Sequence, residues 1–297
     1  MAAFLDLITD MLTFTFTQRA LIVGMLISLC AALLGVNLVL KRYAMIGTAL
    51  GNVGFLVMAM GGVVEFAALG DPGAIVLFVA AAWGSAPVLI PLVLITLAAF
   101  IMLRIREKSK TKGDSVVAVV STGSIALGVI ITELTTGLSL HICNVMFGSI
   151  FALSSRDVPI SIGLSIAVVG VFIFFYKQLF AVTHDENFAK ATGTKVEVYK
   201  SLLAILTAVT VVMGMRLMGA MLIAALTVFP ALIALQLFKR FLSVVIGAAV
   251  IGVACFFIGL MLSFGLEMPP GACVVGVNLA VYVIVYLIGF VRRKIGV

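Results

Sequence analysis

Long apolar runs alternate with short polar turns along the whole of this chain. A helix needs about twenty apolar residues to cross the hydrocarbon core of a bilayer, and runs of that length recur here. The first covers 20–40 and stops at Lys41-Arg42; the second covers 45–64 and is followed by Glu65 and Asp71. A third begins at Ala74 or Ala82 and ends at Leu103, a fourth covers 115–131 and a fifth 158–175. Between Lys200 and Lys239-Arg240 there is room for two short spans that turn near Arg216. Runs at 242–262 and 272–290 follow, the last closed by Arg292-Arg293-Lys294. Residues 137–153 are apolar but short, and read as a re-entrant or half-length helix. The expectation is an all-α, polytopic transmembrane bundle of about nine spans, or eight or ten if 137–157 is counted differently.

Charge orients the bundle. Of the nineteen Lys and Arg, all but Arg19, Arg156 and Arg216 fall in turns that this arrangement places on one side. Seven acids (Asp6, Asp10, Glu65, Asp71, Glu133, Asp157, Glu267) fall on the other side. Basic loops stay in the cytoplasm, so the N-terminus is expected outside and the C-terminus inside, in a multi-pass cell-membrane protein. Composition agrees: 64% of residues are hydrophobic and 10% charged, against about 45–50% and about 25% in soluble domains. The chain therefore reads as one transmembrane domain, 1–297, with lipid as the solvent for much of its surface. The net charge of +7 is spread over short turns rather than gathered on one face, which argues against nucleic acid. Cys30, Cys143, Cys255 and Cys273 lie in apolar surroundings without CxxC spacing, as small buried hydrophobes do. The first nineteen residues carry Asp6 and Asp10 and lack the basic start of a cleavable signal.

No GxxxxGK[ST] loop is present, so this chain does not bind ATP by that route, and HExxH and GxSxG are absent too. The spans hold almost no ionisable residues, which argues against a proton- or sodium-coupled carrier. A membrane enzyme would need convergent acids, bases or a nucleophile at one depth, and none emerges. The most informative polar stretch is 177–200, expected to be a cytoplasmic loop. Within it Asp185 and Glu186 open a short helical run, Phe188, Ala189 and Ala191 share a face, and Gly193 ends it. Acids at the start and Gly at the end suit the helix macrodipole and its C-terminal cap. The same pattern would serve an ordinary amphipathic connector.

Asp185-Glu186-Asn187-Phe188-Ala189-Lys190-Ala191-Thr192-Gly193 resembles the cytoplasmic loop of ABC-type permeases for zinc, manganese and iron uptake, which reads D-x-x-[FY]-A-[RK]-[AS]-x-G. Further stretches are similar to that family in the same order. They are Leu34-Gly35-Val36 with Lys41-Arg42, then Gly113-Asp114-Ser115 through Ala126-Leu127-Gly128, then Met146-Phe147-Gly148-Ser149-Ile150. Met218-Gly219-Ala220-Met221-Leu222 through Pro230-Ala231 and Glu267-Met268-Pro269-Pro270-Gly271-Ala272 complete the set. The resemblance implies the homodimeric membrane subunit of an ATP-driven importer that is not itself an enzyme. A separate cytoplasmic ATPase uses the ATP, an extracytoplasmic binding protein delivers the substrate, and this chain binds no cofactor. Asp185, Glu186, Ala189 and Gly193 become the candidates for docking on the ATPase.

The second helix departs from the family. Where the pattern reads G-D-A-[LI]-S-H-A, this chain has Gly47-Thr48-Ala49-Leu50-Gly51-Asn52-Val53. Thr48 stands in place of Asp and Asn52 in place of His. Hydroxyl and carboxamide are much weaker ligands for divalent metals than carboxylate and imidazole. Four apart, the two share a helix face and either line a polar translocation path or bond to neighbouring helices. His141, in the half-length segment, is a candidate metal ligand in transit or a hydrogen-bonded structural residue. Met213, Met215 and Met218 form a lipid- or helix-facing stripe or a soft-metal path. Glu133 and Arg216 either rim the outer opening or snorkel at helix ends. The expected cargo is a divalent metal (zinc, manganese or iron). The alternatives are a non-metal cargo, a stand-alone channel or secondary carrier, and a heterodimer in place of the homodimer.

Overall fold

The structure is a computed structural model that describes residues 14–41, 44–69, 97–98, 101, 113–136 and 157–295. Regular structure among the described residues is α-helical throughout. In chain order the helices are α1 (Thr15–Leu40), α2 (Ala44–Leu69), α3 (Gly113–Thr136), α4 (Asp157–Phe174) and α5 (Tyr176–His184). There follow α6 (Glu186–Ala191), α7 (Val196–Met218), α8 (Ala220–Leu237), α9 (Phe241–Leu266) and α10 (Pro270–Ile295). Among the described residues six helices are long and apolar enough to cross a membrane, or seven if α4 and α5, bent by 70°, count as one span. The expected span at 74–103 and the half-length segment 137–153 lie outside the described residues, apart from Leu97, Ala98 and Ile101.

α1 is the centre of the bundle. It packs on α4, α5, α7, α8 and α9, and its residues from Cys30 to Leu38 are all buried. Lipid gives helices no hydrophobic drive to associate, so close backbone approach has to do the work, and small residues permit it. Gly35 is the clearest case. A Cβ built there would sit 1.9 Å from the Thr227 carbonyl oxygen, so α1 and α8 touch backbone to backbone. Gly24 likewise lies under the fully buried ring of Phe256. α10 and α3, by contrast, keep most of their apolar surface outward, as lipid-facing helices do.

The helices alternate in direction around α1. Phe14, before α1, stacks near Phe264 at the end of α9, while Tyr176 and Phe180 on α5 pack on Phe241 at the start of α9. One end of the bundle thus gathers Lys41, the α5–α6 segment, Lys200 and the Lys239-Arg240 turn. The other end holds Arg19, Gly219 and Glu267. α2 and α3 run in the same direction, with Asn52 against Ser121 and Phe55 against Gly128.

The turn expected near Arg216 falls at Gly219, three residues on, and one other expectation needs correction. Gly219 has φ 93° and ψ 154°, a conformation essentially reserved for glycine, while Arg216 continues α7. The stretch 177–200 is not a loop around one short helix. It comprises most of α5, all of α6 and the opening of α7.

Candidate functional site

The six residues of α6 are too few to persist alone, since nucleating a helix fixes several residues for one hydrogen bond. Caps at both ends compensate. Asp185 is extended (φ −146°, ψ 106°), and its Oδ1 accepts hydrogen bonds from Asn187 N at 2.9 Å and Phe188 N at 3.1 Å. Such an N-cap contributes about 1 kcal/mol. At the other end Thr194 N donates to Ala189 O at 3.0 Å and Gly193 N to Lys190 O at 3.1 Å, with Gly193 at φ 81°. This pair of bonds is a Schellman cap, and its left-handed residue explains the glycine.

Ala189 is completely buried and packs with Val182 of α5 and Val196 of α7. Its neighbour Phe188 is 63% exposed. The expected common face of Phe188, Ala189 and Ala191 therefore divides: Ala189 seats α6 on its own bundle, and Phe188 and Ala191 look outward. Phe188 was not singled out by sequence reasoning. Ala189 and Ala191 are equally small, so residue size alone does not tell which of them turns inward.

Glu186 joins three helices. Its Oε1 lies 3.2 Å from Lys41 Nζ, one residue past α1, and its Oε2 lies 2.7 Å from Lys200 Nζ in α7. The side chain of Lys41 is only 6% exposed and that of Lys200 17%. Partial burial alone would raise the Glu186 pKa. The Lys200 hydrogen bond and the Lys41 charge outweigh it and hold the carboxyl below its ordinary range. One turn before Lys41, the buried Asn37 accepts a 3.4 Å hydrogen bond from Thr183 of α5. The last turn of α1 thus touches residues on both sides of the Asp185 cap. His184, exposed, stacks on Phe180 at 5.7 Å.

The second polar region lies on α2. Asn52 Nδ2 donates to Ser121 Oγ on α3 at 2.8 Å. Thr48, one turn earlier, is exposed. On the same helix Gly51 meets Ala220 of α8, and Gly47 meets the Thr227 hydroxyl. Glu133 is exposed near the end of α3, while Met215 and Met218 are buried in the core beside α1. Met215 and Met218 therefore pack in the core. His141 lies outside the described residues. Among those described, no group of three His, Cys, Asp or Glu is placed to hold a metal.

A helical bundle of several apolar spans, with a short capped helix at its basic end, defines a polytopic membrane protein. The chain matches the ABC 3 transport family over residues 13–289 and belongs to it. It is a membrane permease of that family, whose ATPase is a separate subunit. The chain is 27% identical over 286 residues to the manganese import system permease protein ScaB of Streptococcus gordonii, covering 95% of this chain and 96% of that one. It is 24% identical over 266 residues to the manganese transport system membrane protein MntC of Halalkalibacterium halodurans, covering 90% and 85%. Among solved structures, PsaBC from Streptococcus pneumoniae in complex with Fab aligns with a TM-score of 0.75 at 25% identity, over 96% of this chain and 95% of that one.

Proposed function

We propose that this permease imports a divalent metal ion, with manganese first among the candidates and zinc and iron beside it. The names of ScaB and MntC carry that choice. The working unit is a dimer, read as a homodimer, with an ATPase on its cytoplasmic face and a binding protein outside. Residues 1–297 form one transmembrane domain, N-terminus out and C-terminus in, with about nine spans. The parallel course of α2 and α3, and the gathering of Lys41, Lys200 and Arg240 at one end, support that count and orientation.

The capped geometry of α6 is the observation that carries the coupling role. Asp185 and Gly193 fix its ends, Ala189 seats it, Glu186 ties it to α1 and α7, and Phe188 is the side chain turned toward the ATPase. Residues 177–200 are the cytoplasmic coupling segment. Thr48 and Asn52 mark the translocation path, with His141 as a further ligand for the ion in transit. Hydroxyl and carboxamide groups suit a path that an ion crosses without being held. The test is ATP hydrolysis by the complex in lipid, with its own ATPase and binding protein, titrated with manganese, zinc, iron and a chelator. Stimulation by one metal is expected; an active complex indifferent to all of them would mean a different cargo.

A further inference from the structure

The structure offers a route from α6 into the membrane that the caps alone do not explain. Lys41 is 6% exposed, although a cytoplasmic lysine that serves only to orient a span gains nothing from being covered. A buried charge is costly unless paired, and Lys41 pairs with Glu186 at 3.2 Å. The second pair, Lys200 with Glu186 at 2.7 Å, comes from the other side. One carboxylate therefore bridges the end of the central helix and the opening of α7. Both bridged helices lead inward: α1 contacts α8 at Gly35, and α7 ends at the Gly219 turn, where Ala220 packs on Gly51 beside Asn52.

We propose that Lys41 and Lys200 are positioning residues that convert movement of α6 into movement of α1 and α7, both acting through the Glu186 carboxylate. This rests on the coupling role of α6 given above. Two helices pulled by one charge move together, so a rigid-body shift of α6 reaches the centre of the bundle and the α2 polar face in one step. Packing also joins these elements, since Ala189 seats on Val182 and Val196 and both α5 and α7 pack on α1. The clamp adds a charged, directional link to the end of α1. The Asn37–Thr183 contact, at 3.4 Å, is a weak second link between α1 and α5.

The experiment is manganese uptake per ATP hydrolysed, in proteoliposomes holding the permease, its ATPase and its binding protein. Lys41→Met with Lys200→Met is expected to keep the ATPase bound in the wild-type ratio and to keep hydrolysing ATP. Manganese moved per ATP falls about tenfold, within the ordinary range for coupling between sites. Lys41→Arg with Lys200→Arg restores the ratio, and Glu186→Gln repeats the loss. A ratio unchanged in the methionine variant would overturn the inference, as would loss of the ATPase itself, which would make the clamp a folding contact. A wild-type complex without its ATPase, or without manganese uptake, would instead bring down the reading on which the inference rests.

Discussion

Around Glu186, two lysines, a capping carboxylate and a Schellman cap fix the backbone from Asp185 to Thr194. Around Thr48 and Asn52, α2 meets its neighbours through glycine and alanine surfaces and the Asn52–Ser121 hydrogen bond. Directional, charged contacts hold the first region to a single geometry. Small-residue packing in the second tolerates sliding, because no strong bond has to break. On the proposed roles, a part that transmits force has to be stiff and a part that opens for an ion has to be able to shift. Substitutions that swap the character of the two regions should therefore be the most informative.

The largest effect is expected where the path region rests on the bundle. Gly35→Ala places a Cβ against the Thr227 backbone carbonyl, and neither helix has a flexible side chain there to give way. Overpacking of this kind costs about 1–3 kcal/mol, and a backbone clash lies at the upper end. Thermal unfolding in detergent should show a clear drop in Tm. An unchanged Tm would mean that α1 and α8 are farther apart than described.

Next comes the stiff region. Gly193→Val forces a β-branched residue to φ 81°, a strain of about 1–3 kcal/mol that a six-residue helix cannot absorb. ATPase copurification should fall while the Tm of the bundle stays at the wild-type value. Gly193→Asn should do much less, because Asn accepts the left-handed conformation. Asp185→Ala removes the N-cap at about 1 kcal/mol and should weaken ATPase binding, whereas Asp185→Asn keeps an acceptor and should not.

Glu186 gives the comparison a pH axis. Its pKa is depressed in the folded protein, so the clamp's contribution is full above the ordinary carboxylate pKa of about 4.3 and is lost as pH falls through the lower, folded value. Manganese moved per ATP should stay level from neutral pH down to about 5 and fall only in stronger acid. Glu186→Gln should be low at every pH. A wild-type decline already between about pH 7 and 6 would point away from the clamp.

Much of this contrast could be read from residues alone. Apolar runs placed α1, α2, α3 and α4 to within a few residues, because lipid requires about twenty such residues per span whatever the partners. The caps of α6 were legible in the same way, since Asp and Gly act locally. The turn expected near Arg216 lies at Gly219, because backbone conformation rather than charge sets its exact place. The Lys41–Glu186–Lys200 clamp was not legible. Lys41 and Glu186 are 145 residues apart in sequence, and the two lysines suit the positive-inside rule equally well until burial is known. The inward turn of Ala189 has the same origin, because only the fold shows which side of α6 faces Val182 and Val196.

The smallest structural effect is expected at the polar face itself, where the functional effect should be largest for its cost. Asn52→Leu removes the hydrogen bond to Ser121, worth about 0.6 kcal/mol for a pair of helices in a membrane. Thr48→Val alters an exposed side chain, so the Tm should hardly move in either variant. If Thr48 and Asn52 line the path as proposed, manganese uptake should nevertheless fall in both. Thr48→Asp with Asn52→His tests the same face in the other direction. It supplies a carboxylate and an imidazole one turn apart, which bind divalent metals far more strongly. Retained metal should rise in the purified protein and release should slow, so that uptake drops although affinity grows. If both sets of variants leave uptake and metal content at the wild-type level, Thr48 and Asn52 are packing residues, and the path lies on another face of the bundle.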